Sequence, residues 1–154
     1  MPSAIRACVF DAYGTLFDVH SAVRRFAAQI GPDAADFSQL WRTKQLEYSW
    51  VRSLARRHVD FRQVTIEALE FSMRYFSINN KKLGDDLIAV YRELEVYPEV
   101  IPGLQQLRTS GVRLAILSNG TPDWLESAVR SAGIAELFDF VWSVEDVGIF
   151  KPDP

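Results

Sequence analysis

The sequence predicts an α/β fold in which a parallel β-sheet is interrupted, after its first strand, by an insertion of four helices. Short apolar runs that end in polar turns predict three strands, and amphipathic stretches between them predict helices. Strands that alternate with helices pair in parallel, so we expect one layered core. The chain has 154 residues, of which 48% are hydrophobic and 24% charged, as is typical of a globular protein.

The first strand and the insertion are predicted from a change in hydrophobic period. Residues 5–10 form an apolar run that stops at the polar turn Asp11–Thr15, which indicates a buried strand. Apolar residues then recur at spacings of three and four, which indicates amphipathic helices. Asp18 is predicted to cap the first helix, and Gly31 and Pro32 to end it. The predicted helices cover residues 19–30, 36–57, 61–76 and 82–93.

The pattern changes near Pro98, after which shorter helices alternate with strands. Residues 121–123 make a strong helix start, because a capping residue, a proline and an acid suit a helix N-terminus. The predicted elements are a helix over 104–110, a strand over 113–117, a helix over 121–132 and a strand over 138–142. We therefore expect residues 1–16 and 98–154 to form the core, and residues 17–97 to form a helical subdomain.

Composition excludes several classes of function. The net charge is −3, with 17 basic and 20 acidic residues, so the chain is not suited to neutralise a nucleic-acid backbone. The single cysteine, Cys8, excludes an internal disulfide framework and a cysteine-rich zinc site. No apolar run approaches about 18 residues, and the N-terminus lacks a signal-peptide pattern. We therefore expect no nucleic-acid or membrane partner, and a location in the reducing cytoplasm.

Two polar clusters that follow predicted strands are the first candidates for chemistry. Asp11–Thr15 comes after the first strand, and Ser118–Gly120 comes after the second. Because ligands bind beyond the carboxyl ends of parallel strands, neighbouring strands would bring these clusters together. Taken singly, such residues are also common in plain turns. Together they make Asp11 a candidate nucleophile or metal ligand, and the turn amides a candidate anion site.

Two basic residues are further candidates. Arg42 lies on one helical stripe with Leu46 and Trp50, although an arginine at such a position is more often solvated. Lys151 has no distinguishing feature when it is considered alone. The chain has only two histidines, which disfavours a Ser-His-Asp triad, and it contains no nucleophile-elbow or nucleotide-binding glycine motif. A carboxylate nucleophile is the chemistry that remains.

The residues at these positions resemble those of a known enzyme superfamily. Phe10–Leu16 resembles the first motif of the haloacid dehalogenase superfamily, Ser118–Gly120 its second motif and Lys151–Pro152 its third. Leu40–Arg42 and Gln45–Trp50 are similar to a signature in the cap of the type II L-2-haloacid dehalogenases. The resemblance covers nearly the whole chain. It implies a Rossmann-like parallel core with an inserted four-helix cap subdomain.

Position 13 separates two activities within that superfamily. Its phosphatases place a second Asp two residues after the nucleophile, where it protonates the leaving alcohol, but this chain has Tyr13 there. The resemblance therefore favours attack on a halogen-bearing carbon, since a halide leaves without a proton. A magnesium-dependent phosphatase or phosphonatase of the same superfamily is the alternative, because phosphonate-cleaving relatives also lack that Asp.

The resemblance implies a reaction in two steps. Asp11 would displace the halide of an L-2-haloacid with inversion, and water would then hydrolyse the aspartyl ester to release a D-2-hydroxyacid. Lys151 would hold Asp11 ionised, and Thr15 would orient it. Arg42 and Asn119 would receive the departing halide. Neither a metal nor another cofactor is implied.

The resemblance also implies which residues contact the substrate, a small 2-haloalkanoic acid. Ser118 and neighbouring backbone amides would hold its carboxylate, and an apolar pocket would hold its carbon chain. Because members of the family often pair through the cap, we expect a homodimer. The expected substrate-contacting residues are Ala12, Tyr13, Leu46, Phe61, Ser118 and Asn119.

The end of the chain departs from the family pattern. Members continue beyond Lys151–Pro154 with a further helix, more strands and a fourth motif, so we expect a fragment with an incomplete core. A missing strand would leave residues 5–11 as an unpaired apolar edge. Such a fragment is expected to be poorly active, or to persist only as a binding module. Multiple turnovers by the 154-residue chain would contradict that expectation.

Overall fold

A computed structural model describes residues 5–153, so residues 1–4 and Pro154 of the predicted core lie outside the described residues. The strands are β1 (Ala7–Phe10), β2 (Arg113–Ser118) and β3 (Phe140–Ser143). They form one parallel sheet with β2 in the centre. Phe10 pairs with Ile116, so β1 and β2 end at the same edge of the sheet. The predicted α/β class and parallel sheet are confirmed.

The insertion after β1 is helical, as predicted. Its longest helices, α3 and α4, pack along each other, and apolar residues such as Phe37 and Trp41 lie buried between the helices. No helix within residues 5–153 is both long and apolar enough to cross a membrane. The helices are α1 (Ser21–Arg25), α2 (Ala27–Ile30), α3 (Ala34–Leu54), α4 (Phe61–Tyr75) and α5 (Lys81–Tyr91).

The first predicted helix is wrong in two respects. The structure divides it into α1 and α2 at Phe26, whose φ of −112° and ψ of 14° are not helical. The N–H of Phe26 bonds to Val23 O, three residues back, so the helical ladder is interrupted there. Asp18 does not cap the helix, because its Oδ1 accepts from His20 N in a turn that precedes α1.

Two further helices flank the sheet. These are α6 (Val100–Thr109) and α7 (Pro122–Ser131). α6 begins four residues before its predicted start, since Pro102 lies in its first turn, where a backbone N–H has no helical acceptor. Thr121 precedes α7 as predicted, but its side chain makes no capping hydrogen bond. β3 begins two residues later than its predicted start.

The chain enters and leaves the insertion through two segments that lie side by side. Phe17 and Val96 form an antiparallel bridge, and Tyr97 N donates to Leu16 O at 3.1 Å. The helical insertion therefore begins and ends at one point on the core.

One hydrophobic core joins the insertion to the sheet. Trp124 on α7 is almost fully buried, and its ring centre lies 5.9 Å from that of Tyr91 on α5. Phe17, Phe37 and Phe150 are fully buried in the same core. Because large aromatic side chains contribute much of the apolar area in a core, these residues hold the cap against the α/β layer.

One face of the sheet is open to solvent. Val9, Leu117, Phe140 and Trp142 lie in register on this face, with 38% to 58% of their surface exposed. Within residues 5–153, β1 pairs with β2 alone, so its outer edge carries unpaired backbone groups.

The N-cap residue of helix α4 allows a prediction about stability. Asp60 precedes α4 and accepts from Gln63 N at 2.7 Å, whereas Asp33 precedes α3 without a side-chain capping bond. Asp60→Ala is expected to lower the free energy of unfolding by about 1 kcal/mol. Asp33→Ala is the matched control, because it removes the same charge but no hydrogen bond. Urea denaturation measures the free energy of unfolding of both variants. Equal losses of this free energy would contradict the assignment of Asp60 as the N-cap of α4.

Candidate active site

The first motif forms a tight turn at the end of β1. Asp11 follows the strand directly, and Ala12 O accepts from the N–H groups of Leu16 and Phe17 at 2.9 and 3.0 Å. Gly14 has φ of 94°, a conformation that other residues rarely adopt. The turn therefore places the Asp11 carboxylate at the carboxyl ends of the strands, where the sequence predicted a site.

Two side chains hold the Asp11 carboxylate. Lys151 Nζ donates to Asp11 Oδ1 at 2.9 Å, and Thr15 Oγ1 donates to Asp11 Oδ2 at 3.2 Å. Lys151 Nζ also donates to Leu117 O at the end of β2. The two hydrogen bonds fix the orientation of the carboxylate, and the Asp11 side chain is 41% exposed, so it is still accessible. An oriented and accessible carboxylate can act as a nucleophile.

The second motif is held by its own hydrogen bonds. Ser118, which is almost fully buried, accepts from Gly120 N at 3.1 Å through Oγ, and Ser143 Oγ donates to Gly120 O at 2.7 Å. Asn119 Oδ1 accepts from Lys151 N at 2.9 Å. Asn119 therefore ties the segment that carries Lys151 to the end of β2. Since its oxygen is engaged, its amide Nδ2 is the donor that an anion could use.

Arg42 approaches the same place from helix α3. Its Nη2 donates to Tyr13 O at 2.8 Å, and its Nη1 donates to Gln45 Oε1 at 2.7 Å. A Cβ atom at Gly14 would lie 3.2 Å from Arg42 Nη2, so the absence of a side chain there lets the guanidinium close on the turn. The cap thereby places a cation against the first motif of the core.

These residues enclose a small cavity between the cap and the sheet edge. Its volume is about 140 Å³, which suits a molecule of a few heavy atoms. A larger groove of about 490 Å³ lies on the outer surface between α3 and α4, away from Asp11. The small cavity is therefore the candidate site. It is lined by Asp11, Tyr13, Arg42, Leu46, Trp50, Phe61, Ser118, Asn119 and Lys151.

The structure brings together most of the residues that the sequence predicted for the site. Thr15 lies outside the cavity lining and reaches the site through its bond to Asp11. Ala12 is fully buried and is not among the lining residues. Trp50 lines the cavity but was not predicted as a site residue, although its spacing of eight from Arg42 on one helical stripe was the available signal.

Tyr13 forms an apolar wall of the cavity. Its ring stacks on Tyr91 at 5.7 Å with an angle of 10° and lies 5.5 Å from the ring of Phe61. Its Oη is buried and has no hydrogen-bond partner within the part of the chain that the structure describes. Burial raises the pKa of the Tyr13 phenol, so the group stays neutral and holds its proton.

One further contact between cap and core was not predicted. Glu145 accepts from His58 Nε2 at 2.9 Å and from Phe61 N at 3.3 Å. The His58 ring lies 4.6 Å from the ring of Phe150, which directly precedes Lys151. The start of α4, where Phe61 lines the cavity, is thereby attached to the core.

Comparison with known proteins identifies the class to which this fold and site belong. The family model of the haloacid dehalogenase-like hydrolases matches residues 5–154. The chain belongs to this family, which confirms the resemblance of its motifs.

The individual relatives are more specific. The chain is 46% identical over 155 residues to (S)-2-haloacid dehalogenase 4A of Burkholderia cepacia, covering all of this chain and 67% of that protein. It is 42% identical over 150 residues to (S)-2-haloacid dehalogenase of Pseudomonas sp. (strain YL), covering 97% of this chain and 65% of that protein. The chain thus spans about two thirds of the length of these curated relatives.

Solved structures show the same likeness. A crystal structure of a dehalogenase matches with a TM-score of 0.96 and 45% identity, over 100% of this chain and 69% of that one. The L-2-haloacid dehalogenase of Xanthobacter autotrophicus with chloropropionic acid covalently bound matches with a TM-score of 0.89 and 40% identity, over 98% of this chain and 61% of that one.

The environment of Tyr13 gives a prediction. Tyr13→Phe removes a buried hydroxyl that has no partner in the described residues, so the free energy of unfolding is expected to rise by about 1 kcal/mol. Tyr91→Phe is the matched control, because its hydroxyl lies 3.0 Å from Gln45 Nε2 and its loss is expected to cost about 1 kcal/mol. Urea denaturation gives both values. A destabilised Tyr13→Phe would show that the hydroxyl is bonded.

Proposed function

We propose that the protein hydrolyses L-2-haloacids to D-2-hydroxyacids, with Asp11 as the nucleophile. The observation that carries the proposal is the Asp11 carboxylate, held at 2.9 Å by Lys151 and at 3.2 Å by Thr15 in a small cavity that Arg42 closes from the cap. The similarity to (S)-2-haloacid dehalogenases over the whole chain supports it.

In the first step an Asp11 oxygen attacks C2 of the substrate from the side opposite the halogen. The new C–O bond forms as the carbon–halogen bond breaks, and the halide leaves with the bonding electron pair. Inversion at C2 follows from this geometry. The covalently bound chloropropionic acid in the relative from Xanthobacter autotrophicus supports an intermediate of this kind.

In the second step water attacks the side-chain carbonyl carbon of the ester. The bond from this carbon to the ester oxygen, which Asp11 contributed in the first step, breaks. This oxygen leaves as the hydroxyl of the hydroxyacid, and the oxygen from water restores the Asp11 carboxylate. One water is consumed, and one halide ion and one proton are formed in each turnover. Lys151 stabilises the charge on Asp11 before the attack and on the carbonyl oxygen during hydrolysis.

The remaining residues would bind the two anionic groups. Arg42 and the Asn119 amide would receive the halide, because a fixed cation and an N–H donor stabilise a charge that develops in the transition state. Ser118 and the amides near Ala12 would hold the carboxylate. Tyr13, Leu46, Trp50 and Phe61 would enclose the carbon chain and exclude water.

The phosphatase alternative is less well supported. In that reaction a second acid must protonate a leaving alcohol. At position 13 this chain has a buried phenol whose pKa is raised by burial, and no carboxylate.

Three organisational features are part of the proposal. The core would comprise residues 1–16 and 98–154 and the cap residues 17–97, which is supported by the pairing of Phe17 with Val96. A homodimer through the cap, testable by light scattering, is carried over from the family resemblance. A cytoplasmic location is carried over from the single cysteine and the N-terminus without a signal-peptide pattern.

Halide release from the two enantiomers of 2-chloropropionate tests the proposal. We expect the full-length protein, in the presence of EDTA, to release chloride from the L form only. Asp11→Asn is expected to lower the rate by at least about 10³-fold, as is typical when a nucleophile is removed. Asp85→Asn is the matched control, because Asp85 is exposed and also pairs with a lysine, Lys81, at 2.7 Å.

Two results would contradict the proposed function. One is the absence of halide release by a folded full-length protein. The other is release that Asp11→Asn leaves at the wild-type rate. Release of phosphate from a phosphate monoester or a phosphonate, lost in EDTA, would favour the magnesium-dependent alternative.

A further inference from the structure

A buried chain of hydrogen bonds runs through the cap behind Arg42. Arg42 Nη1 donates to Gln45 Oε1 at 2.7 Å, and Gln45 Nε2 donates to Thr65 Oγ1 at 2.6 Å. Thr65 Oγ1 then donates to Phe61 O at 2.7 Å. Gln45 is only 1% exposed, and Thr65 is fully buried. These hydrogen bonds therefore connect two residues of the cavity, Arg42 on α3 and Phe61 on α4.

The partners at both ends determine which atoms donate and which accept in this series of hydrogen bonds. A guanidinium can only donate, so the atom of Gln45 that faces Arg42 must be its oxygen. The carbonyl of Phe61 can only accept, so the Thr65 hydroxyl gives its proton there and accepts from Gln45. A side-chain amide carries one acceptor and one donor group, so Gln45 satisfies both neighbours.

We propose that Gln45 is a positioning residue that holds Arg42 in the halide site while leaving its positive charge uncompensated. The inference rests on the proposed function, in which Arg42 receives the halide. A carboxylate at position 45 would have nearly the same shape but would form an ion pair with Arg42. An anion that binds to Arg42 would then meet a cation that is already neutralised.

An apolar side chain at position 45 would have a different effect. It would leave the charge of Arg42 intact but remove the acceptor that fixes the guanidinium, and Thr65 would lose its donor. Tyr91 would lose its contact with Gln45 as well, since its hydroxyl lies 3.0 Å from Nε2 and 3.2 Å from Oε1. Gln45→Met is therefore expected to weaken the orientation of Arg42 without neutralising it.

Bromide binding to the full-length protein tests the inference. Binding is measured by the quenching of tryptophan fluorescence and by the inhibition of turnover. We expect Gln45→Glu to raise the Kd for bromide about tenfold or more, and Gln45→Met to raise it less. In Gln45→Glu, kcat should fall with little change in KM, because the halogen is uncharged in the bound substrate and gains negative charge as the transition state is reached.

Gln39→Glu is the matched control, because it introduces the same charge at an exposed position of the same helix, and its bromide Kd should equal that of the wild type. A purely structural role for Gln45 predicts the reverse order, with Gln45→Met binding bromide more weakly than Gln45→Glu. That order would overturn the inference.

Halide release and bromide binding together distinguish a failure of the proposed function from a failure of the role of Gln45 alone. A wild-type protein that neither binds bromide nor releases halide would overturn the proposed function and this inference with it. A wild-type protein that does both, beside a Gln45→Glu variant with wild-type bromide affinity, would overturn this inference alone. If Gln45→Glu does not fold, Gln45→Met decides: an unchanged bromide Kd in that variant contradicts the positioning role.

Discussion

The ion pair between Asp11 and Lys151 is the interaction on which the rest of the site depends. The two residues are 140 positions apart, and Nζ lies 2.9 Å from Oδ1. Both side chains are about a third or more exposed, so solvent screens the pair and it adds little to stability. The pair is important because it fixes the positions of the two side chains in the site. The parallel pairing of β1 with β2 presents Asp11, and the bond from Lys151 N to Asn119 returns Lys151 to the same edge.

The cap supplies the other half of the site, and its contribution depends on how firmly it is packed. Arg42 bonds to the backbone of Tyr13, Glu145 bonds to the start of α4, and the rings of Tyr91 and Trp124 meet in a shared core. These contacts make the cavity small. A group bound in a cavity of this size lies close to Arg42 and Lys151, so their charges act on it at short range.

Local patterns predicted part of the site. Asp11 and Ser118 follow apolar strands, and Arg42 shares a helical stripe with Leu46. The place of Lys151 in it was predicted only from the family resemblance, because Lys151 has no distinguishing feature when it is considered alone. The break at Phe26 and the roles of Gln45 and Glu145 could not be predicted. In the sequence, Gln45 is one of several polar residues in α3. Its importance depends on a hydrogen bond to Thr65, which lies twenty positions away on another helix. Such contacts depend on how helices pack, which periodicity does not specify.

If Asp11 is the nucleophile, it forms an ester that water attacks at the carbonyl carbon of the side chain. A single turnover in H₂¹⁸O, with the full-length protein in excess over L-2-chloropropionate, shows where the oxygen of water goes. We expect the heavy oxygen to enter the Asp11 carboxylate, detected by mass spectrometry of the peptide, while the first lactate formed is unlabelled. Heavy oxygen in the lactate, with Asp11 unlabelled, would mean that water attacks the substrate directly and that Asp11 is not the nucleophile.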